Sequence, residues 1–185
     1  MPIRTATRLD IDKVREINLL AFPESENQIV AALAVNLLGL ETTPPTLSFI
    51  AEQDNEAVGH IAFSPVTVSN RDEYLAYTLA PLSVKPQHQR QQIGSTLIRH
   101  GMKLLSEMGV NLLLVYGDPK YYGRFGFNAE TAAPYTPPYK LQYPFGWLGT
   151  TLRPHAQTKG PTEIICVEPL MLSLIHISEP TRPLH

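Results

Sequence analysis

The chain has 185 residues, a formal net charge of −2, and 43% hydrophobic against 17% charged residues. That is the length of one domain with enough apolar content for a sizeable core. The weakly acidic balance excludes the basic footprint of a nucleic-acid binder, and the lack of any Lys/Arg run argues against a membrane-surface role.

The single cysteine, Cys166, excludes an internal disulfide framework and fits a reducing, cytoplasmic setting. No signal-peptide core follows Met1-Pro2-Ile3-Arg4, and no apolar run approaches membrane-spanning length. Residues 3–6 read as a first strand. Thr7-Arg8-Leu9-Asp10 has the Thr-x-x-Asp spacing of a capped helix start, and Val14, Ile17 and Ala21 follow at helical spacing. Pro23 ends that helix. Glu24-Ser25-Glu26 opens a second, with Ile29, Leu33 and Leu37 on one face, closed by Gly39 and Pro44-Pro45. Residues 47–52 and 57–68 form two predicted strands joined at Asp54-Asn55-Glu56. Residues 74–84 are apolar on both faces, the pattern of a central strand.

The next predicted helix carries Ile93, Leu97, Leu104 and Met108 on one stripe, with Arg99, Lys103 and Glu107 facing out; Gly109 stops it. Residues 111–116 read as a short buried strand. Gly117-Asp118-Pro119 opens a short helix around residues 120–124. Seven of the seventeen prolines fall between Pro134 and Pro169, which marks a loop-rich region. Strands at residues 147–152 and 162–167 close the order. Several α/β folds share this pattern, so the motifs must choose among them.

The first motif is Val84-Lys85-Pro86-Gln87-His88-Gln89-Arg90-Gln91-Gln92-Ile93-Gly94-Ser95-Thr96-Leu97, a strand end, a polar turn and a helix start. Such a junction turns unpaired N–H groups and the positive helix end toward one place, which suits a phosphate or pyrophosphate. An ordinary strand–turn–helix junction would carry the same pattern. The spacing resembles the Gln/Arg-x-x-Gly-x-Gly/Ala loop of the Gcn5-related N-acetyltransferases (GNAT), with Gln92 where that pattern has its first glycine. The second motif is Gly117-Asp118-Pro119-Lys120-Tyr121-Tyr122-Gly123-Arg124-Phe125-Gly126-Phe127. It is similar to an uncharacterised bacterial branch of the same family, and the likeness covers about residues 3–170.

The resemblance implies an α/β acyl-CoA N-acyltransferase fold, a mixed central sheet with helices on both faces, over residues 1–170. It implies acetyl-CoA as acyl donor, bound by Gln89, Arg90, Gln91, Gln92, Ile93, Gly94, Ser95 and Thr96. The backbone of Leu82, Ser83 and Val84 would face the pantetheine arm and thioester carbonyl, where the strand splays. Pro81, which cannot donate to a ladder, fits such a break. Tyr122 falls where the family carries the tyrosine that donates to the leaving thiolate, with Tyr121 as competitor. A phenol near pKa 10 stays protonated at neutral pH and can serve a thiol near 8.5.

The family's strand carboxylate has no counterpart between Tyr74 and Lys85, so the base is left open between a water chain and an acceptor that arrives neutral. Glu24 and Glu26 could attract a cationic acceptor, but they also suit a helix N-terminus. His60 and His88 have no metal-ligand spacing, so no metal is expected. The implied activity is direct acetyl transfer to a small-molecule or peptide amine. The rival is a module that binds acyl-CoA without turnover, as Gln92 and the missing carboxylate would suit. Finally, residues 172–182, Leu172-Ser173-Leu174-Ile175-His176-Ile177-Ser178-Glu179-Pro180-Thr181-Arg182, resemble translated sequencing-adapter sequence. On that reading residues 171–185 form a non-native tail.

Overall fold

The computed structural model describes residues 1–69, 73–138, 140–154 and 162–174, with side chains as far as Met171. Strand β1 (Ile3–Thr5) leads through a 3₁₀ turn into helix α1 (Ile11–Ala21) and then α2 (Asn27–Gly39). The Thr-x-x-Asp signal closes as a reciprocal capping box between Thr7 and Asp10. Arg4 grips both carboxylate oxygens of Asp10 at 2.8 Å and also pairs with Glu52. The Arg4 guanidinium therefore holds the Asp10 carboxyl well below the usual carboxylate range, and the first strand is pinned to both α1 and the sheet.

The sheet follows with β2 (Leu47–Gln53), β3 (Glu56–Val68) and β4 (Ala76–Val84). Asp54 and Asn55 have φ of 51° and 62°, the paired left-handed geometry of a tight two-residue hairpin turn. Helix α3 (Ile93–Glu107), strand β5 (Leu112–Tyr116) and helix α4 (Pro119–Tyr122) come next. Helix α5 (Ala129–Ala132) and strand β6 (Tyr135–Thr136) lie inside the Pro-rich region, where single short turns leave no periodicity to read. Strands β7 (Trp147–Thr151) and β8 (Thr162–Ile165) and helix α6 (Glu168–Leu174) complete the order. Helix α6 crosses the boundary expected near residue 171, with Leu170 buried and Met171 packed against the core. The remainder of the expected tail, 175–185, lies outside the described residues.

The strand order is β1-β2-β3-β4-β5-β7, with β8 pairing with β3 and β6. The β4–β5 pair is parallel; the other pairs along the main path are antiparallel. The β3–β4 register slips between Ile61 and Phe63, opposite Ala80-Pro81, a bulge where Pro81 has no N–H to give. Beyond it β4 leaves β5. Only Ala76–Thr78 pair with Leu112–Leu114, although β4 runs on to Val84 and β5 to Tyr116. The sheet is split along its middle.

Helix α3 covers one face of this sheet. Its buried stripe is Ile93, Leu97, Ile98, Gly101 and Leu105. Leu104 is only partly buried and Met108 is 38% exposed, which shifts the stripe from the predicted one. The cause is Gly101: a Cβ there would lie 2.1 Å from Phe63 Cζ, so the missing side chain lets the Phe63 ring dock on the helix and sets its rotation. Gly59 acts likewise under Ile93, with 2.8 Å to its Cγ2. Helices α1 and α2 cover the other face.

Candidate active site

The split sheet sets the stage. Leu82 and Val84 turn their side chains into the core shared with α3, and Ser83 turns toward α1, where its hydroxyl donates to Asn18 Oδ1. What these three residues leave toward the split is backbone. Past Val84, a 3₁₀ turn over Pro86–His88 reverses the chain, and Gln89 Nε2 donates back to the Val84 carbonyl at 3.2 Å.

The loop between that turn and α3 has positive φ at Arg90 (62°) and Gln92 (63°). Left-handed residues in such a turn draw successive N–H groups into a concavity. The first helical bond of α3 is Thr96 N–H to the Gln92 carbonyl at 3.0 Å. Among the described residues no backbone acceptor meets the N–H groups of Arg90, Gln91, Gln92, Ile93, Gly94 or Ser95. Six donors and a fifteen-residue helix behind them make a strong anion cradle. Arg90, Gln91, Gln92 and Thr96 are exposed, while Ile93, Gly94 and Ser95 are buried.

Gln92 adopts the conformation that glycine would hold without cost. A Cβ in the left-handed region costs roughly 1–2 kcal/mol, against a gain of about 0.4–1 kcal/mol from a stiffer unfolded chain. Gln92→Gly is therefore expected to raise stability by up to about 1.5 kcal/mol and to tighten anion binding. Thermal melts with and without acetyl-CoA check this; a lower melting temperature would show that the Gln92 side chain contributes more than its backbone strain costs.

Tyr122 lies on α4 with zero exposure, in the same core cluster as Leu79, Leu82, Leu113 and Val115, which come from the two strands that part. Its ring packs edge-on to Phe127 and Tyr121, with centroids 5.6 Å and 5.0 Å away. Among the described residues its hydroxyl has no hydrogen-bond partner. A buried polar atom without a partner is costly and marks a place to look for a ligand or ordered water. Burial first, then the neighbouring Tyr121 phenol and the Asp118 carboxylate, raise its pKa well above the ordinary phenol value, so Tyr122 stays protonated.

Tyr121 is in a different position: burial pushes it up to about 12, and its hydroxyl interacts with the Ser95 side chain in the first turn of α3. The two rings touch, closer than their helical spacing suggests, because Tyr121 leans on Phe125 at 5.5 Å and on Tyr122 alike.

One polar cluster escaped the sequence reading. Asn18 on α1, His60 on β3 and Ser83 on β4 are all buried. Asn18 Nδ2 donates to the Val14 carbonyl at 2.8 Å and faces His60 Nδ1 at 3.3 Å, while its Oδ1 accepts from Ser83. With Oδ1 taken, Asn18 must present a donor to His60. Nδ1 therefore accepts and Nε2 carries the proton. Burial lowers the His60 pKa to about 3, so the ring is neutral. The only signal in the sequence was an isolated polar residue in an apolar strand.

The folded pKa lies below the unfolded value of 6.5, so the unfolded state binds more protons and stability falls as pH drops below 6.5. Between pH 7 and pH 5 the loss is expected to be about 1–2 kcal/mol, read from urea midpoints. His60→Gln should flatten that slope; an unchanged slope would mean that His60 is hydrated and charged in the fold.

Nearby, Lys85 is buried between Glu56 (2.9 Å) and Glu16 (3.7 Å), which anchors the strand end just before the cradle. Glu24 is exposed and Glu26 half-buried. Cys166 is buried and pushed up to about 12 by burial, as suits a core thiol. A cavity of about 320 Å³ bounded by Pro65, Tyr74, Ala76 and Cys166 lies at the opposite end of β4 from the cradle. Among the described residues no His/Cys/Asp/Glu group is arranged to hold a metal, and no helix is long and apolar enough to cross a membrane.

A mixed sheet that splits after a bulge, with an N–H cradle where the helix follows the parting strand, is the acyl-CoA N-acyltransferase fold. The model of the acetyltransferase (GNAT) family matches residues 11–127, well over half of the chain, and the chain belongs to that family.

Among curated proteins it is similar to the uncharacterised N-acetyltransferase YjhQ of Escherichia coli K12, 38% identical over 120 residues, 64% of this chain and 65% of YjhQ. It also matches YhbS of the same strain, 36% identical over 85 residues, 45% of this chain and 50% of YhbS. The matches thus span about half to two thirds of these relatives. A GNAT family acetyltransferase from Brucella melitensis, solved with acetyl-CoA, superposes with a TM-score of 0.63 at 30% identity, covering 87% of this chain and 93% of that one. Escherichia coli YhbS, solved with CoA, gives 0.71 at 24% identity over 92% and 91% of the two chains, a likeness of fold.

Proposed function

We propose that this chain is an N-acetyltransferase that moves an acetyl group from acetyl-CoA directly to the amine of a small molecule or peptide. The observation that carries this reading is the run of six N–H groups from Arg90 to Ser95, without a backbone acceptor among the described residues, beside the split of β4 from β5. Gln89, Arg90, Gln91, Gln92, Ile93, Gly94, Ser95 and Thr96 would hold the pyrophosphate. The open edge of Leu82, Ser83 and Val84 would hold the pantetheine arm and polarise the thioester carbonyl. The acetyl-CoA bound by the Brucella relative supports this choice of donor.

In the reaction the amine nitrogen bonds to the thioester carbon, the C–S bond breaks, and the amine loses a proton as the sulfur gains one. Tyr122 is the donor to the departing sulfur. Its pKa lies above that of a thiol, so it stabilises the thiolate by hydrogen bonding, and the amine's proton balances the products. Residues 1–170 are the working unit in this reading, and the lone free thiol of Cys166 suits a cytoplasmic enzyme. Release of free thiol from acetyl-CoA with a panel of amines tests it. Amine-dependent release supports the transferase, whereas binding without release for any amine favours an acyl-CoA binding module.

A further inference from the structure

Residues 85–124 hold six basic residues and two acidic ones, in a chain of net charge −2. Two of those cations converge on one ring. The Arg99 guanidinium lies 5.0 Å from the Phe125 centroid, and that of Arg124 lies 5.8 Å from the same centroid and 5.7 Å from Tyr121. Both arginines are exposed, and among the described residues neither has a carboxylate partner. Two like charges gathered on one ring without a counter-charge form a site for an anion.

The place is specific. Arg99 lies one helical turn beyond Ser95 on the same face of α3, about 6 Å along the axis from the cradle. Tyr121, against which Arg124 rests, interacts with Ser95 itself.

We propose that Arg99 and Arg124, held apart by Phe125, take the 3′-phosphate of the CoA nucleotide. This rests on the reading that residues 89–96 bind the pyrophosphate. A phosphomonoester on the ribose stands a short distance from the pyrophosphate, carries up to two negative charges, and offers oxygens to both guanidiniums. The aromatic ring between them keeps the two forks oriented and leaves a face beside the adenosine. The consequence is selectivity: the chain discriminates CoA from the same molecule lacking only that phosphate.

Calorimetric titration of the full chain with CoA and with dephospho-CoA tests this, alongside Arg99→Gln and Arg124→Gln. The parent is expected to bind CoA about tenfold or more tighter. Each substitution should weaken CoA and leave dephospho-CoA unchanged, shrinking the ratio toward one. Equal affinity of the parent for the two ligands would overturn the proposal. So would variants that weaken both ligands alike, which would assign the arginines to the pyrophosphate. Failure of the parent to bind either ligand would remove the cradle reading itself, a result distinguishable from both.

Discussion

Tyr122→Phe is expected to lower kcat by about 10²–10⁴-fold while leaving acetyl-CoA affinity nearly intact. Only the hydroxyl is removed, and among the described residues that hydroxyl has no hydrogen-bond partner. The same fact gives the variant a second signature. An unsatisfied buried polar atom costs about 1–3 kcal/mol, so the phenylalanine protein should be as stable as the parent or more so. A slower enzyme that melts higher is what a group kept for chemistry at the expense of stability looks like. A hydroxyl with a purely structural role would show the reverse, a lower melting temperature with turnover preserved.

Tyr121→Phe is the control. It loses the interaction with Ser95 and should act mainly on cofactor affinity, with a much smaller change in kcat. If the two variants behave alike in kcat, or Tyr121 proves the sensitive one, the assignment of the donor to Tyr122 fails. Steady-state kinetics with the best acceptor found, or acetyl-CoA hydrolysis in its absence, supplies the comparison.

Gly101→Ala should be among the most damaging single-atom additions to the fold. The new Cβ would meet Phe63 Cζ and Cε2 at 2.1 and 2.2 Å. The Phe63 ring is fully buried and packs against Phe49 at 6.3 Å, so it cannot swing away cheaply. Overpacking of this kind costs about 1–3 kcal/mol, occasionally more, which in a domain this size is about 2–4 °C per kcal/mol. Because α3 carries the cradle, its displacement should also weaken acetyl-CoA. Phe63→Leu placed in the Gly101→Ala background should restore part of the loss, a coupling visible in a double-mutant cycle. An unchanged melting temperature for Gly101→Ala would mean that α3 stands off the sheet.

The parts legible in the sequence were those that repeat a local rule. Capping at Thr7 and Asp10, the Asp54-Asn55 turn and the break at Pro81 are decided by a few neighbouring residues, and each was visible as such. The left-handed Gln92 was legible too, because its place in the loop demands a conformation that its side chain resists.

What stayed hidden depends on residues far apart in sequence. Asn18, His60 and Ser83 meet only because α1 lies across β3 and β4. The rotation of α3 is set by Gly101 against Phe63, thirty-eight positions apart by their numbering, and no periodicity within the helix records that. Arg99 faces outward, as its place on α3 predicts; its convergence with Arg124 on Phe125 exists only in three dimensions. The short α5 and β6 lack the length over which any period could show.

The most direct test of the central claim is a titration of the ¹⁵N-labelled protein with acetyl-CoA, followed through backbone amide resonances. The largest shifts are expected at Arg90, Gln91, Gln92, Ile93, Gly94 and Ser95, whose N–H groups lack backbone acceptors among the described residues, and at Leu82, Ser83 and Val84 along the parting strand. Shifts confined to other parts of the chain, or none at millimolar acetyl-CoA, would contradict the account.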